Sequence, residues 1–264
     1  GEQQVLTFAA GPVRDFYLVG SDEYVVHSDT VGATTINGYA SAKEAGPAQD
    51  SLEAATQALA NFNQRIGPYP FTELDLAATP NLALGIEYPG VVVITSRLYD
   101  PDGFQSNVPT SAVLESTVAH EVAHQWFYSV VGNDQLDEPW LDESLVQYLT
   151  YLYYVDLYGP AGATGFHQSL EGRWGRVGRE EIPIGLPVGA YDATEYSAIV
   201  YGRGPLFFET LEETMGQAAF GVFLRDYYAS NQYGIGTGEE VKQLAEVHCA
   251  CDLTALFEEW VYPD

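Results

Sequence analysis

His120-Glu121-Val122-Ala123-His124, then eighteen residues, then Glu143: the reading of the whole chain turns on this stretch. Two histidines at i and i+4 lie one above the other on a helix face, because about 3.6 residues complete a turn. His120 and His124 can therefore grip one metal ion from a single helix. Glu121 is rotated from His120 by about 100°. That offset puts its carboxylate beside the ion, where it can hold a water molecule. A catalytic zinc takes three protein ligands and keeps a fourth position open. Glu143 is the candidate for the third ligand, giving one Zn2+ per chain. The competing reading is a solvated helix face with incidental histidines. Against it, the chain has only 5 His, and two of them fall at ligand spacing within an apolar helix.

The flanking residues predict two helices. Val113, Leu114, Val118 and Val122 recur at helical spacing and face a core. Pro109-Thr110-Ser111 marks the start, with Ser111 the expected N-cap. The second helix begins near Pro139, with Asp137 or Glu138 as its cap, and ends at Gly159-Pro160. Leu141, Leu145, Tyr148 and Leu152 form its apolar stripe, and Glu143 points away from them. A carboxylate on an apolar helix is costly if buried alone and acceptable opposite a cation.

His120 to Phe127 (His-Glu-Val-Ala-His-Gln-Trp-Phe), followed by Trp140-Leu141-Asp142-Glu143-Ser144, resembles the zinc aminopeptidases of the M1 family, a branch of the gluzincins. The resemblance implies an α+β fold, a thermolysin-like zincin catalytic domain. In it a mixed β-sheet lobe precedes a mainly helical lobe, and the zinc site lies between them. It also implies His120, His124 and Glu143 as zinc ligands and Glu121 as general base.

Upstream, Leu84-Gly85-Ile86-Glu87-Tyr88 resembles the family's exopeptidase signature, usually Gly-Ala-Met-Glu-Asn. Only Glu87 is kept strictly, and Gly85 takes the place of the Ala. An aminopeptidase must recognise the ammonium group that ends its substrate, and a carboxylate in a desolvated cleft pairs with it. Glu87 and Gly85 are thus expected to bind substrate, on an edge strand that holds the peptide by main-chain hydrogen bonds. The bland reading of Glu87 is an exposed loop residue before a Pro-Gly turn. Downstream, Tyr201-Gly202-Arg203-Gly204 fits the family pattern in which a Tyr opens a helix behind the zinc, its hydroxyl facing the scissile carbonyl. A neutral phenol can donate a hydrogen bond to an oxyanion. Tyr196 is the second choice. One departure stands out: the family usually carries another Glu seven residues after the zinc Glu, and this chain has Thr150 there. Loss of such outer support commonly weakens metal binding or activity about tenfold or more.

Further out, residues 3–42 alternate apolar and polar in short runs: Val5-Leu6-Thr7-Phe8, Phe16-Tyr17-Leu18-Val19, Tyr24-Val25-Val26 and Thr34-Thr35-Ile36. These predict strands of one sheet. Val13-Arg14-Asp15-Phe16 resembles the passage from the family's N-terminal β domain into its catalytic domain. The expected division is residues 1–45 as strands at the junction with a missing N-terminal β domain, and residues 46–264 as the catalytic domain. Within the latter, an α/β lobe runs to about residue 132 and a helical lobe follows. Residues 47–66 predict a helix, stopped by Gly67-Pro68, and residues 91–95 a strand. Residues 96–109 read as a polar loop and residues 133–138 as an acidic solvated turn. After Gly159 a loop-rich stretch is expected to about Gly189, holding Arg173, Arg176 and Arg179. These arginines could line a substrate groove; pairing with surrounding acids is the preferred reading. Helices are expected over 205–215, 217–228, 238–249 and 253–262.

The chain has 264 residues, 46% hydrophobic, with a net charge of −27 and Lys43 and Lys242 as its only lysines. Such a field repels nucleic acid and anionic lipid, so neither is an expected partner. The implied partner is a peptide with a free N-terminus; no feature sets the oligomeric state. No apolar run reaches the roughly 20 residues that span a bilayer. The chain starts at Gly1 and Met215 is its only methionine. The expectation is a trimmed chain whose lost end held any signal or anchor, with an extracytoplasmic location favoured. Cys249 and Cys251 are read as two small buried thiols, since a Cys-x-Cys pair makes a strained disulfide and a poor zinc site.

The function implied is a zinc-dependent aminopeptidase, with a zinc-bound water as nucleophile, Glu121 as base, Tyr201 on the oxyanion and Glu87 on the amino terminus. The alternatives are a zinc endopeptidase or other zinc hydrolase, and a non-catalytic binding module of the same fold.

Overall fold

The computed structural model describes residue 5 and residues 7–262. The first hairpin pairs β1 (Tyr24–Val31) antiparallel with β2 (Thr34–Ser41). Gly32, at φ 60°, turns between them in the left-handed region that a residue without Cβ adopts freely. α1 (Ala45–Arg65) then crosses over to β3 (Glu73–Thr79), which lies parallel to β2. β4 (Gly85–Tyr88) and β5 (Val91–Thr95) form a second hairpin around Pro89-Gly90. β5 adds in parallel beside β3, so the order is β1-β2-β3-β5-β4 and β4 is left at the rim. The sheet is mixed, as expected. Leu74, Leu76, Val92 and Ile94 of its central strands are fully buried. α1 covers it with Leu52, Ala55, Leu59 and Phe62, at spacings of three and four.

A small hairpin of β6 (Phe104–Gln105) and β7 (Val108–Pro109) occupies part of the stretch expected to be polar loop. It leads into α2 (Thr110–Ala123), capped by Pro109 and not by Ser111, which is exposed inside the first turn. A 3-10 turn over Pro139–Leu141 precedes α3 (Glu143–Trp174). Its N-cap is Asp142, whose carboxylate accepts a hydrogen bond from the Glu143 N–H at 2.9 Å. The helix breaks at Gly159 (φ 71°, ψ 170°), where Gly-Pro predicted an end, but resumes at once. Pro160 suits the first turn of the new segment, where its missing N–H needs no partner. Much of the expected loop is therefore helical. α4 (Ala193–Ala198), a π-helical turn over Ile199–Arg203, α5 (Gly204–Met215), α6 (Gln217–Ser230), α7 (Gly238–Cys249) and α8 (Thr254–Trp260) complete the helical part.

Two further expectations fail. Among the described residues no strand precedes Tyr24. Phe8, Phe16 and Leu18 are exposed and have no strand to pair with; Leu6 lies outside the described residues. Cys249 and Cys251 are joined in a disulfide and are not free thiols. Ala250, at φ 52°, turns the chain back where α7 ends and brings the two Cα atoms to 5.1 Å.

One core runs through sheet and helices. Trp126 is fully buried against Phe62 and donates from Nε1 to the Gly67 carbonyl at 2.9 Å. Trp140 is enclosed by Phe207, Phe208 and Phe257. Among the described residues no helix is long and apolar enough to cross a membrane.

Candidate active site

The structure brings all seven residues singled out from the sequence to one place, between the rim strand β4 and the helices α2 and α3. α2 sinks Leu114, Val118 and Val122 into the core. His120 and Glu121 lie in its last turn, and His124 caps its end. His120 Nε2 is 3.1 Å from His124 Nε2 and 3.2 Å from Glu143 Oε2, and His124 Nε2 is 3.4 Å from the same oxygen. His124 Nδ1 lies 3.0 Å from the Phe127 carbonyl. A carbonyl only accepts, so Nδ1 carries a proton, and Nε2 is the atom left to meet a metal. A tetrahedral ion with ligands at about 2.0–2.1 Å has ligand–ligand edges of roughly 3.3 Å. The three atoms stand at that spacing, so this group could hold a metal ion. His120 Nδ1 is buried with no partner. Thr150, where the family pattern carries a Glu, spends its hydroxyl proton on the Val146 carbonyl of its own helix.

Glu121 faces the sheet rim. A Cβ at Gly85 would collide with its carboxylate, so the bare glycine leaves the space that Glu121 fills. Glu87, two residues along β4, groups with Glu121 and His124, ligand-type atoms all within 4.8 Å. Gln125, which sequence reasoning assigned no role, fastens the strand to the helix. Its buried amide accepts from Gly90 N–H at 2.8 Å and donates to the Tyr88 carbonyl at 3.0 Å. Gln135 also reaches the site, donating to Asp142 at 3.0 Å and, at 3.5 Å, to Glu87.

Tyr201 sits on the π-helical turn, its ring centroid 6.0 Å from that of His120. Tyr196 packs edge-on against it at 5.8 Å. The glycines around Tyr201 let this turn press onto α3 at both ends. A Cβ at Gly204 would overlap Ser144, and one at Gly202 would lie 2.8 Å from Trp174 N. Ser144 Oγ donates to the Val200 carbonyl at 2.6 Å. Ser144, Gly202 and Gly204 lie in the runs that carried the family resemblance, but their packing against one another is long-range and no local pattern announces it. Of the three arginines, Arg179 lies 3.9 Å from Glu171, as pairing predicted. Arg173 instead stacks over the Tyr201 ring, 5.9 Å from its centroid.

The electrostatics call for a cation. Burial, and then the Glu87 charge, push the Glu121 carboxyl well above its ordinary value. Burial likewise raises Glu87. Asp142 is pushed up to about 7 by burial and by Glu143 next to it. Burial would raise Glu143 too, but hydrogen bonds and charge from His120 and His124 hold it below the usual carboxylate range. Burial and the nearby Glu143 push the Tyr201 phenol well above 10, so it stays a protonated donor. Four carboxylates share a buried space with two imidazoles, an arrangement that favours a divalent ion.

The family model of the peptidase family M1 domain matches residues 50–260. Aminopeptidase M1 of Arabidopsis thaliana is 25% identical over 272 residues, covering 98% of this chain and 31% of that protein. The Probable aminopeptidase 2 of Sulfurisphaera tokodaii is 23% identical, covering 100% of this chain and 35% of that protein. Human Endoplasmic reticulum aminopeptidase 1 is 24% identical, covering 89% and 26%. The chain spans about a third of the length of the curated relatives it matches. With most of its length matched, the chain belongs to peptidase family M1.

Proposed function

We propose that this chain is a zinc-dependent aminopeptidase that removes the first residue from peptides with a free amino terminus. The observation that carries the reading is the convergence of His120 Nε2, His124 Nε2 and Glu143 Oε2 at tetrahedral spacing, with Glu121 and Glu87 alongside. The aminopeptidase names of the similar proteins support it. When bound, zinc supplies Lewis acidity at the scissile bond and makes water a nucleophile near neutral pH. Glu121 takes the proton of the attacking water and passes it to the leaving amine. Tyr201 donates a hydrogen bond to the oxyanion. Glu87 pairs with the substrate ammonium, and the outer side of β4 offers main-chain groups to the peptide.

The test compares aminoacyl-anilides with their N-acetyl versions on the zinc-loaded chain. Free substrates are cleaved and blocked ones are not. Glu121→Gln lowers kcat by about 10²- to 10⁴-fold while zinc content by atomic absorption is kept. Glu87→Ala raises KM for free-amine substrates. Equal cleavage of blocked and free substrates overturns the exopeptidase reading in favour of an endopeptidase, which Ile86 and Tyr88, departures from the signature, would then accompany.

A further inference from the structure

Arg173 lies in the last turn of α3, half-buried, with its guanidinium over the Tyr201 ring. Gly202 brings the π-helical turn against it: a Cβ there would sit 3.0 Å from the Arg173 Cβ. Among the described residues the guanidinium has no hydrogen-bond or ion-pair partner, whereas Arg203, buried nearby, donates to three main-chain carbonyls. A guanidinium presents five N–H donors in a planar fork that matches a carboxylate. With no protein partner for that fork, its donors are free to meet a ligand. Burial, and then Arg176, already lower the Arg173 pKa. The acid whose charge reaches it is Glu143, but that carboxylate is engaged by both imidazoles.

The charges around the metal group also have an order. Glu87 groups with Glu121 and His124. Arg173 stands over Tyr201, whose ring is 6.0 Å from that of His120. The acid assigned to the amino terminus thus lies on the His124 side of the group and the guanidinium on the His120 side. A short peptide carries the same order: ammonium, scissile bond, carboxylate.

We propose that Arg173 binds a carboxylate on the leaving part of the substrate, so that the preferred substrates are di- and tripeptides with a free C-terminal carboxylate. This rests on the aminopeptidase reading of the site. In a chain of net charge −27, a cation over Tyr201 selects anionic leaving groups against an otherwise repulsive field.

The experiment compares Leu-Ala, Leu-Ala amide and Leu-Asp amide on the zinc-loaded chain, with leucyl-anilide as a reference for turnover. The acid is expected to exceed the amide in kcat/KM by about 10- to 100-fold. That ratio falls to about one in Arg173→Gln and is partly kept in Arg173→Lys. A role confined to steadying Tyr201 would lower both substrates together and leave the ratio intact, which overturns the proposal. So does a wild-type ratio near one. Restoration by Leu-Asp amide would overturn the preference for a free C-terminus; its failure supports it. Binding of Leu-Ala and its amide to zinc-loaded Glu121→Gln, by calorimetry, gives the same comparison without turnover. If no substrate is hydrolysed, the aminopeptidase reading falls, and the calorimetric ratio in the presence and absence of Arg173→Gln decides the carboxylate site alone.

Discussion

Glu121 can sit against the rim strand because Gly85 has no side chain. Valine suits a half-buried strand, so Gly85→Val is expected to fold. Its branched side chain must evict the carboxylate, and kcat should fall about 100-fold or more with little change in Tm. Retained activity would show that the base works from another position. The pH profile tests the same pair. A general base acts only when ionised, so kcat/KM rises with pH through the Glu121 pKa, which burial and Glu87 hold above the usual carboxylate range. Glu87→Gln removes one raising charge, and the acid limb should move to lower pH, by up to about one unit. An unmoved limb would separate the two groups. The grouping of His120, Glu121 and His124 was legible because helix periodicity fixes their relative angles, whereas Glu143, on another helix, was reached through spacing and the family resemblance. The need for glycine at residue 85 was not, since it arises from a contact between segments far apart in sequence.

At the scale of elements, the Gln125 amide is what ties β4 to the end of α2. Gln125→Leu keeps the volume and leaves the Gly90 N–H and Tyr88 C=O without their partner. Each unmet buried group costs about 1–3 kcal/mol. The expected result is a lower Tm and a KM that rises more than kcat falls, because Glu87 rides on that strand. A purely thermal effect would remove Gln125 from the positioning of substrate. Helices were read well from apolar spacing, α1 and α7 nearly to the residue. Of the N-terminal runs, those from Tyr24 and Thr34 became β1 and β2, and the earlier ones failed because alternation shows only a capacity to pair; it does not supply the neighbour. The restart after Gly159 was missed because Gly-Pro ends one helix and opens another equally well.

Across the whole molecule, the mixed sheet followed by helices was legible from the change in period along the chain, from two to three-and-four. The disulfide was not, because it depends on Ala250 taking a left-handed conformation that its sequence does not announce. The net charge of −27 makes the folded state repel itself. Salt shortens the reach of that repulsion, from about 30 Å at 0.01 M to about 3 Å at 1 M. Raising sodium chloride from low concentration to 0.5 M should lift Tm by roughly 3–6 °C; a flat or falling melting curve would mean the charges are already neutralised by bound ions. The placement of β4 at the outside of the sheet has a last consequence. Amide groups are common to every polypeptide, so a strand that grips its guest through them is blind to residue identity. If the proposed aminopeptidase reading holds, breadth over the removed amino acid is the expected condition of this site, and any narrowing of taste has to be imposed by walls that stand off the sheet.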